Sequence, residues 1–172
     1  LDSGRGDETL SVMYDPVSKK YLGFCRNPYP RPMLVHRTER SVLRMQSNDL
    51  VHWSMSTPVL DKDPSDPFDT DFYGMETMFY ESMYLGFVRV HHTAPDNLDM
   101  WLAYSRDSFN WQRLRHRPFL PNGPADGWEC GLASMFQAPL RVGDELWIYY
   151  TGTNGPHDAQ GKETQVGLAK LR

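Results

Sequence analysis

Four acidic residues, Asp7, Asp71, Glu76 and Glu129, stand just before or at the start of strand-like apolar runs. Carboxyl groups used in pairs do acid–base work: one protonates a leaving oxygen while the other attacks or activates water. Across a glycosidic bond the pair must sit about 5–5.5 Å apart for retention of configuration, or about 6.5–9.5 Å for inversion. Side chains suited to sugars surround the acids. Tyr73, Trp128 and Trp101 can stack on a ring face, and Arg26, Arg89, His91, His92 and His157 can bond hydroxyls or set an acid's pKa. Every one of these residue types also has a structural use. Aromatics fill cores, acids cap turns, and a His-His pair after a strand is usually a surface turn. No third ligand stands at suitable spacing beside His91-His92, so no metal is assigned, and nothing calls for a cofactor.

Residues so far apart act together only if the chain brings several strand starts to one place, and its repeats do that. Tyr84-Leu85-Gly86-Phe87 copies Tyr21-Leu22-Gly23-Phe24, and the aromatic strand Trp147-Ile148-Tyr149-Tyr150 follows after the same interval again. A second marker, the S-x-D-x-x-x-W frame of Ser47 to Trp53, returns at Ser105 to Trp111 with a slightly shorter spacing. Units of this length with several short strands suit the four-stranded blades of a β-propeller, because one such sheet cannot cover its own apolar faces. The reading is all-β: three antiparallel blades at approximately 7–60, 70–120 and 128–172, an incomplete propeller in one partial domain.

Expected strands cover 10–14, 20–25, 41–46 and a segment ending at Trp53; then 74–80, 83–90, 98–104 and one near Trp111; then 130–140, 145–150 and 165–171. Counted back from Tyr14, Tyr80 and Leu140 respectively, the acids Asp7, Asp71 and Glu129 each lie an odd number of positions earlier and so share strand parity. Glu76 lies an even number of positions before Tyr80, with the opposite parity, which favours Asp71 unless a bulge shifts the count.

Composition agrees. The 172 residues are 40% hydrophobic and 13% aromatic, enough for a real core, and 13 prolines and 13 glycines are spread along the chain as turns require. No uninterrupted apolar stretch reaches membrane length, which excludes a helical span. The net charge of −4, with no basic run longer than Lys19-Lys20, excludes a nucleic-acid or anionic-membrane surface. Cys25 and Cys130 have no metal-ligand spacing and read as free thiols, a disulfide between them staying open. The chain starts without methionine, as an excerpt or processed form would, so localisation is unread.

The frame, followed by Thr57-Pro58-Val59-Leu60 and Arg117-Pro118-Phe119-Leu120, resembles the turn of the five-bladed propeller glycoside hydrolases, which include invertases, levansucrases, arabinanases and β-xylosidases. In that resemblance Asp caps the turn and Trp packs between blades. Asp7-Glu8-Thr9 with the following strand resembles the blade carrying the transition-state stabiliser of family 32-type enzymes. Asp71-Phe72-Tyr73-Gly74-Met75-Glu76 and Gly127-Trp128-Glu129-Cys130-Gly131 are similar to the next motifs, although Gly131 replaces the proline of the invertase signature and the motif falls one blade late. The nearest resemblance is to an uncharacterised family 32-like hydrolase group. It implies a carbohydrate substrate, catalysis by Asp7, Asp71 or Glu76, and Glu129, and a nucleophile-bearing blade ahead of this chain. A propeller that only binds carbohydrate or protein is the other reading. Three blades do not close a ring, so open edges favour self-association.

Overall fold

Short apolar runs punctuated by tight turns fold into antiparallel meanders. The computed structural model describes residues 10–27 and 40–172, with Arg115 and His116 described as backbone only. Among the described residues there are twelve strands and no helix. The first blade is β1 (Leu10–Asp15), β2 (Lys20–Arg26), β3 (Val42–Ser47) and β4 (Thr57–Leu60), each paired with the next. The second runs in the same order through β5 (Thr70–Tyr80), β6 (Met83–His92), β7 (Asn97–Ser105) and β8 (Trp111–Leu120). In the third, β9 (Leu132–Ser134) and β10 (Leu140–Val142) share one edge of β11 (Glu145–Thr153), and β12 (Thr164–Leu171) takes the other.

Two strand assignments change. The fourth strand of the first blade is the proline-bearing segment Thr57–Leu60, while Trp53 makes a single bridge to Ser47. The first strand of the third blade, expected as one run over 130–140, is split into β9 and β10, and Pro139 in the gap has no N–H to give a ladder. Among the described residues neither cysteine is in a disulfide; Cys25 is buried and Cys130 partly exposed.

Register decides what each face of the second blade meets. Phe72, Met75, Val88, Val90, Trp101 and Ala103 lie on one face and join Leu22, Phe24, Val42 and Leu60 of the first blade in one core. Phe87 and Met100 point the other way, into a core with Met135 and Ile148 of the third blade. The middle sheet is therefore covered on both sides. Buried polar links cross the first seam: the Tyr84 hydroxyl donates to Asp15 at 2.8 Å, and Arg44 Nε donates to Ser108 Oγ at 3.1 Å.

The repeated frame is one turn built twice. Asp49 Oδ1 accepts the amides of Val51 and His52 at 2.9 and 2.8 Å, and Asp107 Oδ1 those of Phe109 and Asn110 at the same distances. Leu50 and Ser108 sit at φ 66° and 64°, and their carbonyls accept the indole N–H of Trp53 and Trp111 at 3.1 and 3.0 Å. A hydrogen bond from His52 and the amides of the turn hold the Asp49 carboxyl far below its ordinary range; the amide and side chain of Asn110 do the same for Asp107. Each indole then lies on the glycine of the other repeated motif. A Cβ on Gly23 would stand 3.0 Å from both Met45 and Trp53; on Gly86 it would stand 2.5 Å from Met75 Sδ and 2.8 Å from Trp111. The two markers of the repeat are thus two halves of one contact.

Because Gly86 is the tighter site, Gly86→Ala should lower the unfolding free energy by about 1–3 kcal/mol, with a smaller loss for Gly23→Ala. Denaturant titrations of the two variants give the order. Equal losses, or none at Gly86, would contradict the indole-on-glycine packing.

Candidate functional site

The strand starts of all three blades meet at a pocket of about 350 Å³. Leu10 of β1 and Leu132 of β9 reach it from the outer blades, and Tyr73 and Glu76 of β5 from the middle one. Arg26, Arg89, Ser134 and His157 supply the remaining polar wall, with Leu98 and Phe136 as apolar surface.

A bulge sets which residues of β5 face this space. Phe72 pairs with Val90 and Gly74 with Arg89, so Tyr73 is an extra residue in the ladder. Gly74 carries φ 144°, a conformation that L side chains rarely adopt. The extra residue shifts the parity, placing Asp71, opposite His91, and Glu76, opposite Phe87, on the same face. The parity that separated them in the unbroken count does not hold.

Glu76 is buried and accepts a 2.9 Å bond from Arg89, whose guanidinium is equally enclosed. Isolated buried ions are costly, so the pair neutralises itself. Among the described residues, Arg89 Nε, His91 Nδ1 and Ser134 Oγ at this face find no hydrogen-bond partner. Buried polar atoms are normally satisfied, and a polar ligand in the pocket would satisfy these.

Tyr73 does not offer an open ring face. The guanidinium carbons of Arg26 and Arg40 each lie 4.3 Å from its ring centroid, and His91 and His157 meet it edge-on at 4.9 and 5.3 Å. Its role here is to hold cationic groups together. Asp71 is half-buried and receives the Arg40 amide at 3.5 Å; burial pushes its carboxyl above the ordinary value against that bond and the nearby charges of Arg40 and His91.

Glu129 and Trp128 belong to a neighbouring cluster and do not line the pocket. The Tyr150 hydroxyl donates to Glu129 at 2.6 Å, and Trp128 stacks on the Tyr150 ring at 5.8 Å. Burial and that bond push the Tyr150 phenol up to about 12. His92 and Trp101 face the first blade: His92 Nε2 lies 3.1 Å from Asp99, and Trp101 is buried in the core. Asp7 lies outside the described residues. Of the expected site residues, Glu76, Tyr73, Arg26, Arg89 and His157 share the pocket, and His91 touches its rim through Tyr73.

Sequence reading passed over Asp96, Ser134 and Phe136. Asp96 sits in the turn between β6 and β7, where His91 Nε2 approaches its Oδ1 at 2.9 Å. Its other oxygen accepts the Asp158 amide at 2.9 Å, and its carbonyl accepts the His157 amide at 2.7 Å. Burial opposes ionisation of Asp96, but the Asp158 amide and His91 hold its carboxyl below the ordinary value. The pairing of a β6–β7 turn with a loop of the next blade, far along the chain, leaves no local signature.

No protein-family model and no curated protein matches the chain. Solved structures do. A thermostable family-43 glycoside hydrolase shares 16% identity at a TM-score of 0.74, covering 100% of this chain and 56% of its own. An N-acetylgalactosamine deacetylase from F. plautii, solved with blood group B trisaccharide, gives 14%, 0.69, 94% and 49%. The family 32 β-fructofuranosidase BmSUC1 of Bombyx mori gives 15%, 0.63, 96% and 35%. The chain thus has the propeller-type fold of glycoside hydrolases and spans about half the length, or less, of these proteins.

The bond to Asp99 raises the His92 pKa above 6.5, outweighing burial, so protonated His92 stabilises the fold. That contribution is complete below about pH 6.5 and is lost as pH rises through the folded-state pKa. The stability gap between the wild type and His92→Gln should therefore shrink as pH rises above about 6.5. A gap independent of pH in denaturant titrations would remove the assignment.

Proposed function

We propose that this chain carries the sugar pocket of a carbohydrate-acting propeller, and that its reaction is hydrolysis of an O-glycosidic bond by paired carboxylates. The observation that carries this is the buried Glu76–Arg89 pair lining a pocket at the meeting point of three strand starts, beside unsatisfied polar atoms. Sugars offer the matching hydroxyls. Glu76 supplies the carboxylate that faces the substrate, with Arg89 fixing its position. The second carboxyl comes from a strand start: Asp7 ahead of β1, or Asp71 on β5, which stands four ladder positions (about 13 Å) along the strand from Glu76, so the two side chains must close part of that gap. Raised by burial, Asp71 suits the proton-donating role. Glu129, bonded to Tyr150, supports the loop before β9.

The fold alone does not select this chemistry, because its neighbours include a deacetylase as well as glycosidases. The choice rests on the carboxylates. Assayed on activated aryl glycosides at a temperature where the variant stays folded, Glu76→Gln should lower kcat by at least about 100-fold, since an acid–base group of this kind contributes about 10²–10⁴. It should also lower the melting temperature, because Arg89 loses its buried counter-ion. Asp71→Asn and Asp7→Asn, compared directly, identify the partner: one falls as far and the other does not. Glu129→Gln should reduce stability more than turnover. Sugar binding without turnover on any glycoside would replace hydrolysis with the binding-propeller reading.

A further inference from the structure

We propose that His91, Asp96 and His157 form a binding site for one divalent cation of the zinc class. One ligand atom from each lies within 4.8 Å of the others. Three donors each about 2.0–2.2 Å from a common ion stand roughly 3.4 Å apart in a tetrahedron, so closing on an ion asks for small side-chain movements. Two imidazoles and one carboxylate form a donor set that favours zinc, cobalt or iron over calcium and magnesium, which prefer oxygen cages. Three protein ligands also leave a coordination position open, as in catalytic rather than structural zinc sites.

The loops that carry the ligands are held in place without an ion. Asp96 receives the amides of His157 on its carbonyl and of Asp158 on Oδ2, which leaves Oδ1 for His91. The Lys162 ammonium hydrogen-bonds the His157 carbonyl from the same loop. A strand end of the second blade and a loop of the third are thereby fixed against each other. Other charges near the cluster are mixed. Asp71 stands opposite His91 in the ladder and Asp158 lies 2.8 Å from His157, while Arg26 and Arg40 lie over Tyr73. With Asp96 there are three carboxylates against Arg26, Arg40 and the Lys162 ammonium, so the surroundings are close to balanced and the donor set itself must favour the ion.

His157 lines the pocket as well as the cluster, so an ion bound there sits at the pocket's edge. Its open position can take water or a hydroxyl oxygen. The site stands on its own geometry; only its role, holding a hydroxyl of a bound sugar, rests on the carbohydrate reading.

The test starts from chelator-treated full chain titrated with zinc by calorimetry and with cobalt by its visible ligand-field bands. The wild type should bind one equivalent of either and gain thermal stability with metal. His157→Ala and Asp96→Asn should each weaken binding by more than about tenfold, the loss that even an outer partner of a ligand can cause. Asp96→Asn still offers an oxygen to the Asp158 amide, so it separates metal loss from loop loss when both variants melt like the metal-free wild type. His52→Ala, an exposed histidine paired with Asp49, serves as control. Absence of stoichiometric binding, or binding unchanged in both ligand variants, overturns the site. One equivalent bound with no glycoside turned over would count against hydrolysis alone.

Discussion

A four-stranded sheet that is apolar on both faces has one stable place, between two others, and the second blade is such a sheet. Its strands send Phe72, Met75, Val88 and Val90 to one side and Phe87 and Met100 to the other. Everything else follows from covering both. The first and third blades are held in a fixed relation, and the starts of β1, β5 and β9 are drawn to one pocket. On the third-blade side the composition changes along β6, from Leu85 and Phe87 to Arg89 and His91. The apolar part seals the seam; the polar part opens on the pocket.

The seam toward the first blade is held by more than apolar area. Asp15 caps its own turn through the amides of Val17 and Ser18 at 3.0 Å and also accepts the Tyr84 hydroxyl. Burial disfavours its charge, but the bonds from Ser18, Val17 and Tyr84 outweigh it, so the carboxyl stays below its ordinary value. Arg44, reaching Ser108 and lying 3.8 Å from the Phe109 ring centroid, ties the first blade to the repeated turn of the second. Polar groups buried across a seam must all be matched at once, which gives the docking of blades a single register.

The repeat was legible because its markers are physical partners: an indole on one strand needs a glycine on another, and both left traces at a near-constant interval. The all-β class and most strands followed from the same pattern. The pocket was half legible. Glu76, Tyr73, Arg26, Arg89 and His157 could be named by residue type, but the face shown by Glu76 depends on a bulge, and parity counting assumes an unbroken ladder. Glu129 and Trp128 lie off this pocket, in a cluster with Tyr150, and a carboxylate beside an aromatic is common both to sites and to cores. Only packing against Tyr150 separates the two uses. Asp96 and Ser134 carried no signal, since a turn aspartate and a strand serine are ordinary until another blade is laid against them.

The bulge at Tyr73 also bears on how this pocket can change over evolutionary time. The β5–β6 ladder pairs around Tyr73 without counting it. Loss of a residue elsewhere in β5 would exchange every side chain beyond it between the two seams and ruin both. Loss of Tyr73 itself would leave each remaining pair in place and remove only the ring that gathers Arg26, Arg40, His91 and His157. At this one position a change in length behaves like a point substitution, so the pocket can be retuned by a single-codon deletion while the blades around it keep their register.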